Sequence, residues 1–238
     1  MNDSNINRPP RHTRPFFHHL IKIIALIIIK LVARVEIKGW QHVPASGAVI
    51  VAINHLSSFD TLSMIAFAPV RQGTAFAAIE HRADFIAGWA LDQLGLIWVR
   101  RGEADRDAIK IALSELKQGT ALGVAIEGTR SRTGQLLAGK TGAAYLSSRA
   151  GVPVLPVAIW GTEKIINNLK RLRRSRVQVR IGAPIPPPPG RANAAELEAH
   201  TENIMLAIAR MMPEEYRGVY REKAAIITVP AQEPEKGD

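Results

Sequence analysis

Six apolar residues in a row, Ala48-Val-Ile-Val-Ala-Ile53, constrain the fold more than any other stretch of the chain. The run is shorter than a helix needs and dense in β-branched side chains. It therefore reads as a strand covered on both faces, the position of a central strand in a sheet flanked by helices. Directly after it comes Asn54-His-Leu-Ser-Ser-Phe-Asp60, then a short helical pattern over residues 61–68. His55 thus stands where the carboxyl end of a strand turns toward a helix, the usual place for a site in an open α/β sheet. Asp60 falls five residues on, within the first helical turn, so its carboxylate can fold back onto the imidazole. An acid on one ring nitrogen fixes the tautomer and leaves the other nitrogen to take a proton. A structural reading competes. Ser57 and Asp60 have the spacing of a capping box, in which Asp60 serves the helix start and His55 is an ordinary loop residue.

The strand–helix alternation continues along the chain. Strands are expected at 35–39, 74–79, 95–101, 121–126, 152–159 and 176–185, and helices at 84–94, 105–118, 141–150 and 194–211. Pro186 to Pro189 make a stiff extended spacer. This order predicts an α/β fold, a mixed sheet with helices on both faces. At 238 residues the chain has room for one domain with a sizeable core and short additions at its ends. Cysteine is absent, which excludes a thiolate nucleophile, a disulfide framework and cysteine-ligated zinc together. The histidines show no metal-ligand spacing, so no metal is expected.

The formal net charge of +10 is concentrated in two places. Residues 1–38 carry seven Lys or Arg against two acids, and residues 164–191 carry eight with no acid. Two basic segments on a near-neutral body fit an anionic surface, lipid or nucleic acid, touched at particular places; they also fit plain solvated charge.

Residues 1–15 are polar and proline-containing, and are expected to be disordered. Residues 16–35 are dense in Ile and Leu, interrupted by His18, His19, Lys22 and Lys30. On a helical wheel those four share one sector and the apolar residues fill the opposite arc. Two lysines argue against a spanning helix, which needs roughly 20 mostly apolar residues. No small-residue cleavage site of a secretory signal follows. The expectation is an N-terminal amphipathic helix lying in a membrane interface, with a core-packed helix as the competing reading. The chain then divides into a tail at 1–15, a membrane-association helix at 16–35, a folded domain at 36–220 and a loose tail at 221–238.

Three strand ends present polar groups: His55 with Asp60, Arg100 with Arg101, and Glu127 with Arg130. Arg130 lies just beyond Gly128, where backbone N–H groups and a guanidinium can hold a phosphate together. A phosphate-bearing substrate beside a His–Asp pair is one reading. A rival lies in Gly134-Gln-Leu-Leu-Ala-Gly-Lys-Thr141, which matches the P-loop pattern letter for letter. Such a loop must leave a strand directly. Here the polar residues 129–133 precede it, and no later strand ends in an acid for Mg²⁺.

In order, these stretches resemble the bacterial 1-acylglycerol-3-phosphate acyltransferases, within the wider glycerolipid acyltransferase family. The family's His-x-x-x-x-Asp matches His55 to Asp60, and its glycine-led strand ending in arginine matches Gly95 to Arg101. Phe-Pro-Glu-Gly-Thr-Arg-Ser is matched by Glu127-Gly-Thr-Arg-Ser131, with Ala125-Ile126 standing in place of Phe-Pro. Lys140-Thr-Gly-Ala143 follows as in the family, which accounts for the P-loop match, and Val152-Pro-Val-Leu-Pro-Val157 is the fourth motif. The resemblance implies that residues 36–220 are an acyltransferase domain with His55 as general base and Asp60 orienting it. The acceptor hydroxyl would then attack an acyl thioester directly. It further implies Arg101 and Arg130 on the acceptor's phosphate, Glu127 on its glycerol backbone, and Gly128 and Thr129 within the substrate-binding set. The lack of cysteine and of a G-x-S-x-G elbow agrees with direct transfer. No cofactor is implied. Acyl-CoA or acyl carrier protein is the co-substrate, a lysophospholipid the acceptor, and an anionic membrane surface, not nucleic acid, the partner. The implied place is the cytoplasmic face of the inner membrane, in phosphatidic acid biosynthesis. Alternatives are another lysolipid acceptor, or a non-catalytic basic membrane-binding protein.

Overall fold

The computed structural model describes residues 15–67, 73–100 and 105–226. Its first helix, α1 (Pro15–Val32), runs straight into β1 (Ala33–Lys38). Then come β2 (Val49–Ile53), α2 (Ser58–Phe67), β3 (Gly73–Ala78), α3 (Phe85–Gln93), β4 (Ile97–Val99) and α4 (Arg106–Lys117). They are followed by β5 (Ala121–Ala125), α5 (Gly142–Ala150), β6 (Val154–Trp160), α6 (Ile165–Leu169), β7 (Ser175–Ile181), α7 (Ala194–Met211) and α8 (Arg221–Ile226). The strands form one sheet in the order β1-β7-β6-β2-β5-β3-β4. β2 pairs in parallel with β5 and β6, β3 with β4 and β5, while β7 runs antiparallel to β6 and parallel to β1. The apolar run of residues 48–53 is thus the centre of a mixed sheet.

Its alternation explains why both faces are filled. Ile50 and Ala52 point into a core with Ala112 and Leu116 of α4, Leu146 of α5 and Ile204 of α7. Val49, Val51 and Ile53 point the other way, against Phe59 of α2 and Ile165 of α6. Period-two side chains on a strand with helices on both sides leave no polar face, as the unbroken apolar sequence requires. The helices are capped locally. Asp84 accepts from the amides of Ile86 and Ala87, Asp105 from that of Ala108, and Asn193 with Glu196 makes a full capping box on α7.

α1 packs one side against the domain and exposes the other. Ala25 and Ile29 are buried against Ala66 and the α2 side chains Phe59, Leu62 and Ile65. The opposite side leaves Leu20, Ile23, Ile24, Ile27, Ile28 and Leu31 exposed. A helix apolar on two sides packs one and leaves the other without cover. The open side continues onto α3, where Phe85, Ile86 and Trp89 are exposed and the Trp89 ring meets the edge of Phe17 at 5.6 Å. Among the described residues no helix is long and apolar enough to cross a membrane.

Several boundaries differ from the sequence expectation. β4 is only three residues long because it pairs with β3 over Phe76–Ala78 alone. β7 stops at Ile181, since Gly182 turns back onto Pro156 and Pro184 has no N–H; Ile185 keeps only an isolated bridge to Val154. α6 is too short to show a helical period. At the other end, residues 221–226 form α8, with Ala224 buried in the main core, where a loose tail was expected. The disordered tail expected at 1–15 lies almost wholly outside the described residues, as do residues 227–238 of the expected C-terminal tail.

Candidate active site

The parallel strands β6, β2, β5, β3 and β4 all end at one edge of the sheet, and the candidate residues leave from that edge. β2 delivers Asn54 and His55. Asn54 is buried and bridges to the neighbouring strand, donating to the Ile159 carbonyl and accepting from the Ile159 amide, both at 2.8 Å. That double bond ties the ends of β2 and β6 together immediately before the histidine.

Asp60 lies buried in the first turn of α2. Its Oδ2 accepts from His55 Nδ1 at 3.0 Å and from the amides of Leu56 and Ser57 at 2.6 and 2.7 Å. Its Oδ1 accepts from the hydroxyl of Thr162 at 2.5 Å. One oxygen thus accepts both from the amide that precedes the helix and from the imidazole. The Ser57 hydroxyl meanwhile accepts from Phe59 N rather than closing the capping box on Asp60 N. With Nδ1 directed at a carboxylate, it is Nε2 that carries the lone pair. The His55 side chain is only 11% exposed.

Thr162 is a residue that the sequence reading missed. It follows β6 through Gly161, whose φ of 88° and close approach to the Arg176 carbonyl exclude a side chain. A Gly-Thr pair just past a strand end was the available signal, but nothing local pointed it at residue 60.

Glu127 leaves the end of β5 and is 1% exposed. Its Oε1 accepts from the His55 amide at 3.0 Å and its Oε2 from the Leu137 amide at 2.9 Å. Both oxygens of this enclosed carboxylate are engaged, so Glu127 straps the backbone behind the histidine. Ser131 completes the hold, donating its amide to the His55 carbonyl at 2.8 Å. Burial pushes the Glu127 carboxyl up to about 7, against the two amide hydrogen bonds, which favour the charged form.

Gly128 sits at φ 69°, and a β-carbon there would press on the Lys140 stem. Thr129 and Arg130 follow on the surface. Arg130 Nη1 donates to Ser58 Oγ at 2.8 Å, which places its guanidinium over the start of α2. At that helix start the Phe59 amide is taken by the Ser57 hydroxyl and the Asp60 amide by the Ser57 carbonyl. Arg100 is described and exposed at the end of β4, three strand spacings or about 14 Å from β2. Arg101 lies outside the described residues. The P-loop reading fails in place: the Gly139 amide donates to Tyr220 Oη, and a β-carbon at Gly139 would strike Met205 of α7. Among the described residues no cluster of His, Asp and Glu could hold a metal ion.

Fold and site together define an α/β protein with a carboxylate-held histidine at the centre of the sheet's carboxyl edge and a guanidinium over the start of the helix that carries the carboxylate. A family model described as Acyltransferase matches residues 34–160, more than half of the chain, and the chain belongs to that family. It is 30% identical over 162 residues to a chloroplastic 1-acyl-sn-glycerol-3-phosphate acyltransferase of Brassica napus, covering 66% of this chain and 46% of the relative. The chain thus spans about half the length of that plant relative. A 1-acyl-sn-glycerol-3-phosphate acyltransferase of Escherichia coli is 28% identical over 204 residues, 83% of this chain and 80% of that protein. The crystal structure of the 1-acyl-sn-glycerophosphate acyltransferase from Thermotoga maritima superposes with a TM-score of 0.62 at 28% identity, over 80% of this chain and 77% of that one.

Proposed function

We propose that the chain moves a fatty acyl group from a thioester donor, acyl-CoA or acyl carrier protein, to the free hydroxyl of 1-acylglycerol-3-phosphate, giving phosphatidic acid. The observation that carries this is the buried His55–Asp60 pair, with Nδ1 held and the lone pair left on Nε2. Nε2 takes the proton from the acceptor hydroxyl as its oxygen attacks the thioester carbonyl. The tetrahedral intermediate collapses by breaking the C–S bond, and the imidazolium returns the proton to the departing thiolate. Asp60 stabilises the imidazolium in between. No acyl-enzyme is formed.

Arg130, and Arg101 beyond the described residues, pair with the acceptor phosphate as guanidinium–phosphate contacts. Gly128 and Thr129 let the bound acceptor come close to the backbone. Glu127 is assigned as a positioning residue that fixes the His55 backbone. The acceptor and the acyl chain are lipids, and the exposed apolar side of α1 with α3 supports a monotopic protein at a bilayer surface, on the cytoplasmic face of the inner membrane.

The test is acyl transfer to lysophosphatidic acid by the wild type and by His55→Ala. Loss of roughly 10² to 10⁴ in rate with an unchanged fold is expected. A His55→Ala protein that keeps most of its activity would end this reading.

A further inference from the structure

The second basic segment is folded into a tip that stands next to the end of α1. Between α6 and β7 the chain turns through Lys170-Arg-Leu-Arg-Arg174. Leu172 sits at φ 53°, in the left-handed region, with 94% of its surface exposed. Ile166 and Leu169 are also exposed. Lys170, Arg171 and Arg173 surround the tip on the surface, and no acid lies between residues 164 and 191.

Arg174 fastens this turn in place. Its guanidinium donates to the carbonyl of Lys30 and, at 2.7 Å, to that of Ala33. These are the last turn of α1 and the first residue of β1, and Ser175 continues in register with Ala33. Leu31, Ile28 and Ile27 of α1 are exposed on the neighbouring helix. The turn also lies at the functional edge of the sheet, because β7 begins where the antiparallel β6 ends. The same chain segment that leads into it contains Thr162, which holds Asp60.

We propose that the turn at residues 166–173 is a second membrane-contact element, seated on anionic phospholipid, with Leu172 entering the headgroup layer and Lys170, Arg171 and Arg173 on the lipid phosphates. The proposal rests on the reading of the chain as an enzyme working at a bilayer surface. An apolar tip inside a ring of cations matches an interface that is anionic outside and apolar beneath; a polyanion such as RNA offers the charge and nothing for the leucine. Contact along α1 and at this turn fixes rotation about the helix. It also holds the edge bearing His55 toward the lipid from which the acceptor comes.

The absence of cysteine makes the test direct. Leu172→Cys in the full chain, labelled with a polarity-sensitive dye, is mixed with phosphatidylcholine vesicles, with vesicles also containing phosphatidylglycerol, and with RNA. A blue shift on the anionic vesicles alone is expected. Leu172→Ser should lower partition to those vesicles roughly ten-fold, and Arg171→Gln or Arg173→Gln roughly five-fold each, with rates on a short-chain soluble acceptor unchanged. Sedimentation of the labelled protein with a dye that stays as in water overturns this proposal alone. Failure to sediment at all overturns it together with the membrane reading, and an equal shift on RNA overturns it in favour of nucleic-acid binding.

Discussion

Replacing Asp60 by asparagine separates what the carboxylate's shape does from what its charge does. Oδ2 accepts three donors and Oδ1 faces the Thr162 hydroxyl. An asparagine can keep its oxygen at the Oδ2 position and turn its amide nitrogen toward Thr162, whose hydroxyl rotates from donor to acceptor. All four contacts then survive, and His55 keeps its proton on Nδ1. What is lost is charge. A hydrogen bond to an ion is worth about 1.5–3 kcal/mol against about 0.5–1.5 for a neutral pair, so the imidazolium loses roughly 1–2 kcal/mol. At 1.36 kcal/mol per decade, Asp60→Asn should lower kcat roughly 5- to 30-fold. In the serine protease triad the same exchange costs about 10⁴, because there the tautomer is lost. Asp60→Ala is a different perturbation: it strands the amides of Leu56 and Ser57 and should cost about 2–5 kcal/mol of stability. The assay is initial rate at saturating donor and acceptor, with unfolding followed in urea. A 10⁴-fold loss in Asp60→Asn, equal to that of His55→Ala, would show that Thr162 does not accept the amide and that the tautomer is not held.

Arg130→Ala should raise KM for a phosphate-bearing acceptor roughly ten-fold or more while leaving the donor KM in place, since one charged contact is worth about 1.5–3 kcal/mol; equal loss on a phosphate-free acceptor would mark the arginine as structural. Glu127 stays protonated in the folded protein up to about 7 but ionises near 4.5 when unfolded. Its contribution to stability is therefore full below 4.5 and lost as pH rises toward 7. The unfolding free energy of the wild type should fall by about 3 kcal/mol relative to Glu127→Gln between those limits, and a pH-independent difference would contradict the assignment. Ile23→Asp with Ile27→Asp changes two exposed positions, so the fold should stand while pelleting with vesicles at about 1 M salt, where charge attraction is screened, is lost; undiminished pelleting would remove α1 as the anchor.

The α/β class and the place of His55 were legible because they depend on local signals. An unbroken apolar run followed by a histidine and a helical pattern needs no partner to be read. Arg130 and Asp60 were legible for the same reason, as residues at strand ends. The role of Glu127 was not, because a carboxylate with both oxygens on amides looks no different in sequence from one awaiting a ligand. The amides in question belong to residues 55 and 137, and only the fold brings them to it. Thr162 was hidden in the same way, 102 residues from its partner. The packed side of α1 was not legible, because Ala25 and Ile29 share the sector of its histidines and lysines and only their meeting with Ala66 buries them.

The edge position of β1 sets an order of events during synthesis. β1 has a single neighbour in the sheet, β7, and their first paired residues are Ala33 and Ser175. At about 5–20 residues per second, β7 leaves the ribosome roughly 7–30 s after β1 does. For that interval the strand has no edge to join, the Arg174 hold on Lys30 and Ala33 does not yet exist, and α1 has α2, the next helix made, to pack against. The sheet thus closes its edge late, onto a helix whose Ala25 and Ile29 side has already had the chance to settle on α2.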